Sequence, residues 1–547
     1  MAKIRKRKFI FVVGGVLSGV GKGVTSASIG AIMKAKGFSV TALKIDPYVN
    51  VDAGTMNPLE HGEVFVTDDR DETDQDMGNY ERFLDVDLTS LNYMTTGRVY
   101  LSVIEAERAM KYKGKCVQVV PHIPEHIIER IETAAQHAHA DITIIEIGGT
   151  VGEYENILFL EAARMMKLRD PESVAMVLVS YLPIPSHIGE MKTKPTQHAA
   201  RALNSAGLQA DMIVARGSTE LDVPRREKLA VFCGVRKEYC ISAPDVSSIY
   251  EIPLKMEEQE IGNKLLSILK LPKKTTNLEP WENLVKRVKN GKRELKVAVV
   301  GKYFGTGNFT LADSYISVIE AIKHASWNQS VKPVLEWVDS EDFEKDPTSV
   351  KKLSMYDAVI VPGGFGTRGV EGIITAIQYV RECHIPYLGL CYGMQLACIE
   401  FARHVLKKTS AHTVEVNPHT SEPIIHINPL QASNVREQKY GGTMRLGAYE
   451  CVLRYGTRVH NAYKTDTISE RHRHRYEFNN EYREALDTAG LRVVGVNPET
   501  DLVEIVELEN HPYFVGVQFH PEFKSRPMNP HPLFVGLVKA AMKVRTS

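Results

Sequence analysis

The stretch Pro386-Tyr387-Leu388-Gly389-Leu390-Cys391-Tyr392-Gly393-Met394-Gln395 constrains this chain most. It reads as a short apolar strand, a tight turn and a helix running from Gln395 to His404. Gly389 and Gly393 let the backbone bend sharply and push the cysteine out at the sheet edge, the logic of a nucleophile elbow. The N-terminus of the helix that follows stabilises a thiolate and offers backbone N–H groups to an oxyanion. A lone cysteine is more often a small buried hydrophobe. Cys398, seven residues on and inside the same helix, fits that description, whereas Cys391 stands at the turn.

Far downstream comes Gly516-Val517-Gln518-Phe519-His520-Pro521-Glu522. In an extended segment residues two apart point the same way, so His520 and Glu522 can face one site. The histidine can then take the thiol proton while the glutamate fixes its tautomer, a triad with Cys391. The two motifs, in this order, resemble the class I glutamine amidotransferase family. That resemblance implies hydrolysis of the side-chain amide of glutamine and delivery of ammonia to a partner domain.

The chain has 547 residues, more than one core supports, so several domains are expected. Lys+Arg and Asp+Glu both number 67, which removes any global basic bias for nucleic acid, and 43% hydrophobic residues fit a soluble globular protein. The seven cysteines are odd in number and scattered, with no C-x-x-C pair, which argues for a reducing compartment and against a disulfide frame or structural zinc. The basic Lys3–Lys8 run followed by Phe9–Val13 mimics a signal peptide. Its apolar part stops at Gly14-Gly15 with no cleavage site after it, so it reads as a first buried strand. No run of 18 apolar residues exists for a membrane span, and the cytoplasm is the expected compartment.

That first strand runs into Gly14-Gly15-Val16-Leu17-Ser18-Gly19-Val20-Gly21-Lys22-Gly23-Val24-Thr25 and then a helix over about Thr25 to Lys36. Strand, glycine-rich loop and helix form the context of a phosphate-binding loop, with Lys22 as a point charge. The pattern departs from a standard Walker A loop, because glycine follows the lysine where a magnesium-liganding hydroxyl is usual. Carboxylates elsewhere must do more, and the acidic run Asp68–Asp76 and the strand Asp141–Ile147 with Glu146 near its end supply them. Met191-Lys192-Thr193-Lys194-Pro195-Thr196-Gln197-His198 reads as an extended segment with two lysines on one side, suited to a triphosphate. Lys228 falls at the start of a further helix. A polar, proline-flanked linker, Leu271–Pro280, and a short helix from Trp281 precede a new strand, Lys296–Gly301. Asp357–Gly366 is another strand ending in a glycine turn. Arg471-His472-Arg473-His474-Arg475-Tyr476 in isolation resembles a nucleic-acid patch, and within a glutaminase domain the resemblance implies instead that it includes the clamp for the glutamine α-carboxylate.

Together the glycine loop, Lys44-Ile45-Asp46-Pro47-Tyr48, Asp52-Ala53-Gly54-Thr55-Met56, His61-Gly62-Glu63-Val64-Phe65-Val66, Glu146–Gly152 and Lys192–Gln197 resemble the CTP synthase family over nearly the whole chain. The resemblance implies two α/β domains, each with a mainly parallel sheet. A P-loop synthetase domain would span 1–270 and a glutaminase domain 296–547, joined by a linker over 271–295. It implies ATP-dependent amination of UTP to CTP, with magnesium held by Asp76 and Glu146. ATP would lie on Gly19, Val20, Gly21, Lys22, Gly23 and Val24, with Asp76, and with Asp245 and Val246 beside the adenine. UTP would be held by Ser18, Lys44, Lys192, Thr193, Lys194, Pro195, Thr196, Gln197 and Lys228, and product CTP by Glu153, Tyr154 and Glu155. Lys22 and Lys44 would also stabilise the transferring phosphoryl group. Glutamine would be bound by Gly364, Tyr392, Gly393, Met394, Gln395, Glu415 and Arg475, next to catalytic Cys391, His520 and Glu522. The family is a homotetramer activated by GTP, for which Arg368, Arg436 and Arg445 are candidates. Nucleic acid and membrane are not expected partners. A cobyric-acid-type amidase is disfavoured by Lys192–Gln197 and Asp52–Met56, and a non-enzymatic P-loop switch by the complete triad.

Overall fold

The computed structural model describes residues 7–15, 17, 19–187, 189–302, 305–306, 309–310, 312–427 and 442–544. Ser18 and Arg436 lie outside them. The chain divides into two compact units, one of Met1–Ala53 with Asp76–Val285, the other of Gly54–Gln75 with Lys286–Ser547. The division is not linear: residues 54–75, which the sequence places within the synthetase half, pack with the C-terminal half.

In the first unit the described residues form a seven-stranded sheet, built from β1 (Lys8–Gly14), β2 (Val40–Asp46), β3 (Tyr93–Thr95), β4 (Ile142–Ile147), β5 (Val174–Tyr181), β6 (Met212–Gly217) and β7 (Cys240–Pro244). The order is β3-β2-β4-β1-β5-β6-β7 and every pairing is parallel. Strands such as Lys-Phe-Ile-Phe-Val-Val-Gly are apolar at nearly every position and buried along their length, as a parallel sheet covered on both faces requires. The helix after the glycine loop, α1 (Lys22–Ala35), starts three residues earlier than the sequence suggests, so that the loop lysine is its first residue. Another helix, α2 (Asp76–Leu84), opens on Asp76. Lys194 begins a helix, Lys194–Ser205, rather than continuing an extended segment: proline at its second position suits a helix start, where its missing N–H costs nothing. Lys228 stands mid-helix, in Val223–Cys233.

In the second unit nine strands of the described residues form one sheet. They are β8 (Arg293–Gly301), β9 (Val331–Asp339), β10 (Ala358–Val361), β11 (Tyr387–Leu390), β12 (Arg445–Leu453), β13 (Thr467–His474), β14 (Leu491–Val496), β15 (Val503–Leu508) and β16 (Phe514–Val517). The order is β9-β8-β10-β11-β16-β15-β14-β12-β13. From β9 through β16 the pairings are parallel, and from β16 to β13 they are antiparallel. Apolar clusters cover both faces, one around Tyr387, Leu396 and Phe514, the other around Leu388, Phe519 and Phe534. Residues 64–66 and 72–74 form a short antiparallel hairpin.

The helix of the elbow, α3 (Tyr392–His404), begins directly after Cys391, earlier than Gln395. Its first turn sits tightly on the sheet, and a Cβ on Gly393 would be driven into the Val361 carbonyl oxygen of β10. Gly393→Ala should therefore lower stability by about 1–3 kcal/mol through overpacking, read as a lower denaturant midpoint with an unchanged slope.

Candidate functional site

Two clusters of polar side chains gather at strand ends. In the first unit the glycine loop follows the central strand β1, and the C-terminal ends of β2 and β4 lie beside it, the usual ligand edge of an open parallel sheet. Register places Lys44 directly opposite Glu146. The Lys44 ammonium lies 2.5 Å from Asp76, 3.3 Å from Glu146 and 3.4 Å from Asp46. Tyr80 donates to the other Glu146 oxygen. Lys22 donates to the Gly149 carbonyl at 2.8 Å. Burial pushes the Lys22 pKa down, although Glu146 pulls the other way. Burial also raises the Glu146 carboxyl. For Asp76 burial is outweighed by Lys44, and its pKa falls below the ordinary value. The glycine at position 23 now has a physical reason: a Cβ there would collide with the Asp76 carboxylate. The position that carries a hydroxyl in a Walker A loop is given over to an acid from α2.

Three carboxylates and two ammonium groups share this site, and the oxygens are hard donors of the kind magnesium takes. Among the described residues no three acidic, histidine or cysteine side chains form a ready metal cage. Magnesium is commonly held by one or two carboxylates together with substrate phosphates, so the residues present fit it.

Other nucleotide-site candidates fall in two groups. Thr196 bonds Ser180 at 2.9 Å, and a Cβ on Gly15 would meet that same serine hydroxyl, so the start of the Lys194–Ser205 helix lies against the glycine loop. Gln197 donates to Thr193 at 3.0 Å. The Glu153 carboxylate accepts from Thr150 N at 2.9 Å and lies beside Gly149. Asp245 pairs at 3.1 Å with Arg216, whose guanidinium lies over Gly21. Sequence reasoning missed Arg216, which gave no signal beyond its place at the end of a strand. Lys192 pairs with Glu190, which also holds Arg225. Tyr154 and Lys228 are exposed.

In the second unit Cys391 has φ 50° and ψ −98°, a left-handed conformation that costs a non-glycine residue roughly 1–3 kcal/mol and marks an elbow. Its N–H donates to the Val517 carbonyl at 2.7 Å. His520 Nδ1 lies 2.8 Å from Glu522 Oε1. The expected reason was an extended segment. The observed one is a turn, Pro521–Lys524, which folds the glutamate back onto the histidine. Burial works against the imidazolium, but Glu522 and then Cys391 overcome it and raise its pKa to about 10.

Cys391, His520 and Glu522 line one cavity of about 760 Å³ together with Gly364, Tyr392, Gln395, Glu415 and Arg475. Gly393 and Met394 lie behind it, in the contact between α3 and the sheet. Glu415 accepts from Gly366 N at 2.8 Å and burial raises its pKa. Lys302 donates to Gly366 O at 2.8 Å, lies 4.8 Å from the Tyr392 ring centre, and is pushed down to about 8 by burial. Arg475 donates to Thr443 at 2.8 Å. The remaining wall was missed: Gly54–Pro58, Glu63 and Val64 belong to the same cavity. Alternate residues of the basic cluster hold this segment, Arg471 pairing with Asp68 and Arg473 with Glu72 at 2.9 Å. Of the GTP candidates, Arg445 is buried between Glu504, at 2.6 Å, and Glu477. It is a structural cation and cannot reach an effector. Arg368 pairs with Glu341 at 2.6 Å.

Because the raised pKa of His520 depends on Glu522, that pair contributes stability in full below about pH 6.5 and loses it as pH rises through about 10. Glu522→Gln should bring the imidazole pKa down by more than a unit, measured by NMR titration of the His520 ring.

Residues 8–271 match the family described as CTP synthase N-terminus, and residues 310–540 match glutamine amidotransferase class-I. The chain is similar to the CTP synthase of Caldanaerobacter subterraneus subsp. tengcongensis, with 49% identity covering 98% of this chain and 99% of that protein. The CTP synthase of Carboxydothermus hydrogenoformans is 50% identical over 98% of this chain and 99% of that protein, and that of Pyrococcus abyssi 50% over 98% of each. With this likeness extending through both the glycine-loop unit and the cysteine–histidine–glutamate unit, the chain belongs to the CTP synthase family.

Proposed function

We propose that the glutamine-dependent conversion of UTP to CTP is divided in this chain between the two clusters. The observation that carries the reading is the single cavity shared by Cys391, His520 and Glu522 with Glu415 and Arg475. Cys391 attacks the carboxamide carbon of glutamine, and the C–N bond breaks as the His520 proton passes to the leaving ammonia. The glutamyl thioester that remains is hydrolysed by water, deprotonated by His520, to give glutamate and the free thiol. Gly364 and the start of α3 supply N–H groups to the oxyanion. Arg475 pairs with the substrate α-carboxylate and Glu415 with its α-ammonium group, while Tyr392, Gly393, Met394 and Gln395 shape the surrounding wall.

In the first unit the γ-phosphoryl group of ATP moves to the 4-oxygen of UTP. Ammonia then adds at that carbon and phosphate leaves, giving CTP. Lys22 and Lys44 spread the charge of the phosphoryl group in flight. Magnesium, which Asp76 and Glu146 would hold, neutralises phosphate oxygens when bound. The glycine loop, residues 19–24, cradles ATP, with Asp245 and Val246 by the adenine. Ser18, Lys44, Lys192–Gln197 and Lys228 take UTP, and Glu153–Glu155 take CTP as a feedback inhibitor. GTP activates the glutaminase, with Arg368 the candidate contact, and the enzyme is a cytoplasmic homotetramer. All seven cysteines are free, which supports a reducing compartment. Among the described residues no helix is long and apolar enough to cross a membrane.

Lys22→Ala should abolish CTP formation from glutamine and from free ammonia alike, by two to three decades or about 2.7–4 kcal/mol, in an absorbance assay that follows CTP formed from UTP. Cys391→Ala should separate the sites. Glutamine-dependent synthesis should vanish, since losing a covalent nucleophile costs on the order of 10⁶ in rate. Ammonia-dependent synthesis should persist and rise with pH towards the ammonium pKa. Loss of both activities in a folded Cys391→Ala protein contradicts the division.

A further inference from the structure

We infer that Gln518 is a further catalytic residue of the glutaminase centre, its side-chain N–H stabilising Cys391 as the thiolate, with Gln395 setting its orientation. Gln518 is fully buried, and its Nε2 lies 3.6 Å from Cys391 Sγ, within reach for a sulfur acceptor. Its Oε1 accepts from Gln395 Nε2 at 3.2 Å, and the same Gln395 nitrogen donates to the Tyr476 carbonyl at 3.0 Å. That backbone carbonyl can only accept, so the Gln395 amide must present its NH₂ group to it. The same NH₂ then faces Gln518, which must answer with its oxygen. The amide nitrogen of Gln518 is thereby left pointing at the sulfur. One accept-only atom fixes both carboxamides, which are otherwise free to be placed either way round.

The chemistry follows from which sulfur state is an acceptor. A thiolate accepts an N–H strongly and a thiol weakly, so a donor held here favours the charged form. The neutral thiol has a different partner, the Arg473 carbonyl at 3.9 Å. The two protonation states of Cys391 therefore find different partners, and of these two Gln518 is the one that favours the reactive state. His520 and Glu522 face the same cavity from the segment that carries Gln518. Arg473, His474 and Arg475 face it from β13 and the residue after it, and Glu63 and Glu415 from elsewhere on the wall. All of these stay in place when Gln518 alone is changed. The Gln518 backbone N–H is fixed separately, to the Glu504 carbonyl at 2.8 Å.

This inference rests on Cys391 being the nucleophile. It is tested in the full-length protein with Gln518→Met, which keeps the length and removes the donor, and Gln518→Glu, which keeps the shape and places a carboxylate against the sulfur. The readouts are the pH midpoint of inactivation by iodoacetamide without substrate, kcat and KM for glutamine hydrolysis, and the thermal melt. Gln518→Met should lower kcat about 10- to 100-fold with little change in KM and move the alkylation midpoint up by about one to two pH units. Gln518→Glu should move it further in the same direction, because like charges oppose ionisation. A purely structural glutamine would lower the melting temperature and leave the midpoint in place, and that result overturns the inference. If the methionine variant does not fold, an unshifted midpoint in Gln518→Glu overturns it equally. Cys391→Ala, assayed in parallel, separates the two readings. Retained glutamine hydrolysis there refutes the nucleophile, whereas its loss alongside an unshifted Gln518→Glu titration refutes only the role of Gln518.

Discussion

The cysteine–histidine–glutamate cluster depends on one strand pairing. β11 and β16 lie side by side in parallel, with Leu390 opposite Val517. The next residue on each strand is therefore Cys391 on one side and Gln518 on the other, with His520 two further on. The Cys391 N–H to Val517 carbonyl bond extends the ladder one step past the strand end and holds the strained elbow in place. A slip of one residue would turn every side chain on β16 to the opposite face. His520 would then leave Cys391 although neither residue had changed. Apolar contacts on both faces of the sheet make that slip costly, Tyr387 stacking on Phe514 at 4.5 Å on one side.

Both clusters bury charge, and both do so by matching it. Taking an ion from water into a protein interior costs several kcal/mol, which a partner in good geometry offsets only in part. Lys44 is enclosed by three carboxylates, and His520 by Glu522 and the sulfur. Arg445, the first residue of β12, lies between two glutamates. These arrangements are poor sources of stability and good sources of fixed electrostatic orientation. The neighbours of Arg445 show how far this goes: burial, with Arg445 adding to it, holds His472 and His474 well below their ordinary pKa. His520 is driven the other way, with Glu522 at 2.8 Å and the Cys391 thiol in front of it, whereas the carboxylates beside His472 and His474 stand at 3.6 and 3.5 Å.

The segment 54–75 has a role in the second unit that its place in the chain does not suggest. Glu63 accepts from the Ser317 N–H at 3.2 Å, at the start of the Ile316–Asn328 helix, where a carboxylate satisfies free backbone donors. Asp68 and Glu72 take up Arg471 and Arg473. Phe65 meets Phe523 edge-on at 5.0 Å, and Phe523 stacks on His520 at 5.2 Å. His520 is thus braced through an aromatic ring by the hairpin of residues 64–66 and 72–74. Arg473 joins the two regions again, since its guanidinium grips Glu72 while its carbonyl faces the Cys391 sulfur.

Much of the two centres was legible in the amino-acid sequence because it is encoded locally. The elbow follows from glycines around Cys391, the glycine loop from glycines between an apolar strand and a helix, and the position of Glu146 from the end of an apolar run. Steric and capping rules act over a few residues, so a sequence shows them directly. Some local readings still failed. Lys194 opens a helix, and His520 and Glu522 meet across a turn. What needed the tertiary structure was set by pairing between distant segments: the collision of position 23 with Asp76, the transfer of residues 54–75 to the second unit, the burial of Arg445, and the amide relay from Tyr476 through Gln395 and Gln518 to the sulfur. Each of these is decided by which strand ends and side chains share a desolvated space. That depends on sheet order and register, and neither is written in any short stretch of the chain.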